Sequence, residues 1–229
     1  MQRGDVLKGR RKWAVWAAGT VLLVLVAAQL ILPRIAASVV SSRVGRYGKV
    51  ESVSVSAWPA VKLLWGSVDS VHVRAKSLSM EPQQAAKLLW EGRDTARMEL
   101  DVERVQVGPL QLTDAKMTKR GNTLSAQAQV GEAAVQKALP SGVSVQLVKS
   151  EGGTVEVQAS GGLFGVGASL DAVAQASEGK LVAHPVGFLV EGLSLTLFSD
   201  EHVYVEGVSA SRASSAPASY ELSMRASLR

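Results

Sequence analysis

Apolar and polar residues alternate with a period of two along most of the chain. Val53, Val55 and Ala57 alternate with serines, and Val71, Val73 and Ala75 alternate with Ser70, His72, Arg74 and Lys76. Met98, Leu100 and Val102 alternate with Glu99, Asp101 and Glu103; the phase then slips at Arg104 to Val105 and Val107, which predicts a β-bulge. Further runs follow at Leu110–Leu112, Leu124–Val130, Val143–Leu147, Val155–Ala159, Leu193–Leu197, Val203–Val205 and Tyr220–Leu228. Such repetition predicts antiparallel strands, each with one dry and one wet face. Gly121-Asn122, Gly152-Gly153 and Gly161-Gly162 fall between runs and predict turns.

Three segments follow a helical period instead. Residues 34–48 place Ile35, Val39 and Val40 on one side and end at Gly48. Residues 77–93 offer Ser77 or Ser79 as a cap, Pro82 for a first turn, and Leu88 and Leu89 one turn past Ala85. Residues 131–140 form a short helix ended by Pro140. The pattern therefore predicts an α+β fold: an N-terminal transmembrane helix, then a curved antiparallel β-sheet wrapping one or more helices.

The transmembrane segment comes from residues 13–32, twenty positions without a formal charge, enough to span a hydrocarbon core of about 30 Å. Trp13 and Trp16 suit the interface. Five basic residues precede the run, opposed only by Asp5, and put the N-terminus in the cytoplasm and the rest of the chain outside. A cleaved signal ending at Val26-Ala27-Ala28 gives the same topology. The expected organisation is a basic cytoplasmic tail at 1–12, an anchor or signal segment at 13–33, and an extracytoplasmic domain at 34–229.

Charge changes the picture once it is divided. Of the net +5, the tail holds +4, because from residue 34 onward 20 basic residues face 19 acidic ones. A folded domain so nearly neutral argues against nucleic acid as a partner. Cysteine is absent, which removes thiolate metal sites and cysteine nucleophiles. His72, His184 and His202 are far apart and form no HxH or HxxxH pair, so no metal or other cofactor is expected. There is no GxSxG elbow, and Gly165–Ser169 lacks the third glycine of a dinucleotide loop. Glu99, Asp101 and Glu103 share the wet side of one run, where solvation is the default. The chain is expected not to be an enzyme.

One block stands apart. Residues 58–66, WPAVKLLWG, hold two of the five tryptophans. Tryptophans there fill core between sheet and helix, or Trp58, Pro59, Leu63, Leu64 and Trp65 join Leu88, Leu89 and Trp90 to line an apolar groove for an acyl chain. Arg43, Arg46 and Lys49 follow the anchor closely enough for contact with an anionic headgroup or the membrane surface.

The segment VSVSAWPAVKLLWGSVDSVHV, after an anchor and a short helix, resembles the LmeA-like phospholipid-binding family of actinobacterial cell envelopes, and residues 98–111 resemble its second block. The resemblance covers residues 30–229, with Pro59, Leu63, Leu64 and Gly66 matching the motif and Trp58 and Trp65 departing from it. It implies an extracytoplasmic domain that binds phospholipid and supports envelope lipid or lipoglycan maintenance. The competing expectation is a non-catalytic scaffold whose polar face receives another envelope protein. Leu64→Asp is expected to weaken lipid capture with the strands intact, as read by lipid co-purification and circular dichroism; global unfolding would instead place the block in the core.

Overall fold

The fold is described from a computed structural model, for residues 26–139, 141–163, 166–186, 194–213 and 218–229. The basic tail and most of the charge-free run, residues 1–25, lie outside the described residues, as do Pro140, Gly165, Leu193 and residues 214–217. Helix α1 covers residues 26–44, and a 3-10 turn at Gly45–Tyr47 follows it. Among the described residues no helix is long and apolar enough to cross a membrane.

Among the described residues twelve strands form two sheets where the sequence predicts one. The first holds β1 (Gly48–Ser56), β2 (Ser70–Ser79), β3 (Arg97–Val107), β4 (Leu110–Arg120), β5 (Thr123–Gly131), β12 (Ser219–Leu228) and β11 (Val203–Arg212), in that order. The second is a meander of β6 (Val143–Glu151), β7 (Thr154–Leu163), β8 (Val166–Ser177), β9 (Lys180–Val186) and β10 (Leu195–Phe198). All pairings are antiparallel except β2 with β3. That pair is parallel because α2 (Pro82–Glu91) carries the chain back between them, and a crossover helix returns a strand in the same direction.

Pairing carries the alternation across the first sheet. Val53, Val73, Leu100, Met117, Ala126, Met224 and Val208 are successive partners and make one transverse apolar row over all seven strands. The neighbouring row runs Val55, Val71, Met98, Lys119, Leu124, Ala226 and Val205. On the opposite face Arg74, Asp101 and Lys116 are successive partners, and His72 lies 3.3 Å from Glu99 and 3.7 Å from Asp101. The acidic run is thus the middle of a cross-strand charge ladder.

Local details correct the sequence reading. The register of β3 is unbroken at Arg104; the irregularity lies in β4 against β5, between Thr113 and Lys116, where Asp114 has a φ of 50°. Gly161 and Gly162 are inside β7, not a turn, because small residues are as compatible with a strand as with a bend. Ser77 and Ser79 belong to β2, and the cap of α2 is Glu81, whose backbone N–H donates to Gln84 Oε1 at 2.9 Å, with Pro82 in the first turn as expected. The helix at 131–140 is shorter, α3 at Glu132–Ala138.

The helices cover the dry face. Ala36, Ala37, Val40 and Val44 of α1 pack on Val55, Val71 and Val73, while Ala86 and Leu89 of α2 pack with Leu124, Val203, Ala226 and Leu228. Strand β11 would leave an open edge, but the turns of the second sheet close it. Val205 N–H donates to Gly179 O at 2.8 Å, Val208 N–H to Gly153 O at 3.4 Å, and Ala210 N–H to Ser150 Oγ at 2.9 Å. Gly179 has a φ of 79°, and a Cβ there would meet the Tyr204 ring at 2.1 Å. Gly179→Ala is therefore expected to cost about 2–4 kcal/mol, from left-handed backbone strain plus overpacking, measured as a shift in urea midpoint.

Candidate lipid-contact surfaces

The rows described above are unequally covered. Val55, Val71 and Val73 are buried under α1, and Leu124 and Ala226 under α2. Beyond the helices, Met117, Ala126, Ala128, Leu222 and Met224 of the same face are only half-buried. Ala126 stands between Met117 and Met224 as cross-strand partner of both, and Ala128 pairs with Leu222. This strip of small alanines between longer side chains is called the trough below, and methionine adapts to an irregular chain. Periodicity marks these positions as inward-facing; it carries no information that two helices leave them open.

The expected site residues fall in several places. Pro59 and the 3-10 turn Ala60–Trp65 connect β1 to β2, ended by Gly66 with a φ of 74°. Leu63 packs with Val55, Val71 and Val73, whereas Trp58, Leu64 and Trp65 are 73, 67 and 78% exposed. Leu89 belongs to the other cluster, with Ala86 and Leu124, and Leu88 is half-buried. The Trp90 ring is 4.4 Å from that of His202, and the Arg93 guanidinium lies 4.5 Å over it. Leu63 and Leu89 thus sit in separate clusters. Arg43 pairs with Glu91 at 3.0 Å, and Arg46 and Lys49 are exposed. These cations cluster near the C-terminal end of α1.

The other end of α1 meets the tryptophan loop. Gln29 Oε1 accepts the Ala60 N–H at 2.7 Å, and Asp69 accepts the Trp58 N–H and lies 3.7 Å from Lys62. Leu30, Ile31, Ile35 and Val39 on the outer side of α1 are exposed. Gln29 to Arg43 spans about 20 Å at 1.5 Å per residue, so the expected headgroup cations and the loop lie at opposite ends of the helix.

Two further concavities carry charged side chains. One of about 320 Å³ is bordered by Gly153, Glu206, Ser209, Ser223 and Arg225, and one of about 290 Å³ by Arg74, Asp101, Glu103, Asp114 and Lys116. Ala75, Val102 and Ala115 also line the second, but both place charged side chains where a lipid tail would displace their water. Among the described residues no group of three His, Asp or Glu is placed to hold a metal ion.

Lys119 was invisible as a core residue. It occupies an inward position in the row between Met98 and Leu124, is 0% exposed, and donates from Nζ to Arg93 O at 2.8 Å and Thr95 O at 2.5 Å. It ties the segment after α2 to the sheet. Burial pushes its ammonium below the ordinary lysine value, and the Asp94 carboxylate partly offsets this.

The chain belongs to the LmeA-like phospholipid-binding family, whose model matches residues 24–218. The match takes in helix α1, the tryptophan loop, the whole second sheet and the first sheet except β12, so of the half-buried strip it covers Met117, Ala126 and Ala128 but not Leu222 or Met224. Comparison with curated proteins and with solved structures gave no match.

Lys119→Met should destabilise the fold by about 2–4 kcal/mol, because two carbonyls lose a charged donor. The unfolded chain keeps its lysine protonated to higher pH than the folded one. This lysine's contribution therefore rises with pH, being full above the unfolded value and lost as pH falls through the lowered folded value. Urea titrations of both proteins across the alkaline range check the magnitude and the slope.

Proposed function

We propose that this protein binds phospholipid or another acyl lipid along the half-buried trough of the seven-stranded sheet. The observation that carries this reading is the row Met117, Ala126 and Met224, inward-facing in the sheet yet only half-buried. Each methylene laid there leaves water at roughly 0.8 kcal/mol, and the headgroup stays at the polar rim. Membership of a phospholipid-binding family supports the ligand class. The role is non-catalytic, in envelope lipid or lipoglycan maintenance, a reading supported by membership of a phospholipid-binding family.

The charge-free run at 13–32 behind a basic tail supports a membrane anchor with the domain outside the cytoplasm. Arg46 and Lys49 are proposed headgroup contacts; Arg43 is engaged by Glu91. A protein partner on the polar face has less behind it, because the Arg74, Asp101 and Lys116 ladder already opposes its own charges.

Native mass spectrometry of the full chain, extracted from host membranes, tests the reading. Wild type should carry phospholipid, and Ala126→Trp, which fills the trough, should reduce the bound fraction at least several-fold with an unchanged unfolding midpoint. Equal lipid content in both proteins would remove the trough as the site.

A further inference from the structure

We infer that the tryptophan loop and the adjoining sheet edge form a docking surface for an anionic lipid bilayer, separate from the trough. Trp58, Leu64 and Trp65 are large apolar side chains held out into solvent, and the loop that carries them is not slack. Gln29 fastens it to α1 and Asp69 fastens it to the start of β2. A rigid loop that exposes two indoles and a leucine is what an interface of headgroups and acyl ends accommodates, since indole rings favour that depth.

The position of the loop selects a membrane over another protein. It touches α1 at Gln29, between exposed Leu30 and Ile31 and the start of the described chain at Val26. Upstream of that point the sequence is free of charge back to Trp13. The exposed loop therefore lies at the end of the domain where the chain's most apolar stretch joins it.

Charge at the same edge agrees. Val68 O accepts from Ala96 N–H and Asp69 O from Arg97 N–H, which joins the end of the loop to the first residue of β3. Arg97 is paired across the strands with Arg120, both exposed, and neither has an acidic partner among the described residues. Like charges directly opposite oppose pairing. Anionic headgroups outside the protein relieve that repulsion, and each arginine near such a surface strengthens attachment. The loop would enter the leaflet while the two guanidinium groups rest on its phosphates.

The test is fluorescence of the full chain reconstituted in phosphatidylcholine vesicles with and without phosphatidylglycerol. Trp13→Phe, Trp16→Phe and Trp90→Phe leave Trp58 and Trp65 as the only indoles. Lipids brominated near the headgroup end of their chains should quench them by about half or more, as expected for rings at the interface, and aqueous iodide should be excluded. Arg97→Gln with Arg120→Gln should remove the phosphatidylglycerol-dependent part of the quenching, and persistence of that part would overturn the arginine contact. Absence of bromolipid quenching would overturn docking altogether. Iodide access would then show a solvated loop, and iodide exclusion a loop covered by residues 1–25 or by a second copy. An Ala126→Leu background, which narrows the trough without adding an indole, should keep the quenching and so separates docking from lipid capture.

Discussion

A sheet of seven strands with one apolar face must have that face removed from water, and the rest of this molecule is arranged by how the covering is done. The inward row from Val53 to Val208 crosses every strand, so no single ten-residue helix can shield it. Helix α1 takes the β1–β3 side through small residues, Ala36 and Ala37, that let it lie close. Helix α2 takes the other side, over Leu124 and Ala226, and is placed there by its role as the crossover between β2 and β3. What remains half-buried is a strip of Met117, Ala126, Ala128, Leu222 and Met224. A face that folding has left partly exposed is available to a ligand of the same polarity.

The same economy of contacts governs the ends of the sheet. At one edge, the turns of the second sheet supply acceptors to β11, and glycine at position 179 is required because the Tyr204 ring occupies the space of a side chain. At the opposite edge, the loop between β1 and β2 is held by Gln29 and Asp69 with its tryptophans outward. One edge is closed by protein; the other presents apolar surface beside an arginine pair. The proposed trough and the proposed docking loop are therefore separate features of one sheet, a face and an end.

Lys119 shows how a charge can belong to such a core. Its stem lies in an apolar row, and its ammonium meets two backbone carbonyls beyond α2. The interaction holds the helix exit against the sheet and closes the covered side of the strip. Its cost in desolvation is visible in the lowered affinity of the amine for its proton.

Much of the first sheet was legible from alternation alone. Val71, Val73 and Ala75, Leu124 to Val130 and Tyr220 to Leu228 are strands with the predicted faces, because a side-chain period of two is a local property of the backbone. Strands β8 and β9 were not, since Ala172, Ala174 and Ala176 carry too little contrast with their neighbours to register as a dry face. Strand β4 was obscured by Lys119, a charged residue at an inward position. The motif residues Pro59, Leu63, Leu64 and Gly66 pointed to the family that the chain belongs to. Whether a leucine in that block faces core or solvent was set by the loop's two tethers, one from α1 and one from Asp69, which join residues far apart in sequence. By itself the sequence determined which residues are apolar, with what period, and where the chain turns. Only the tertiary structure decided that β2 and β3 run parallel, that two sheets form, and which stretch of the dry face stays uncovered, because each depends on distant segments competing to bury the same surface.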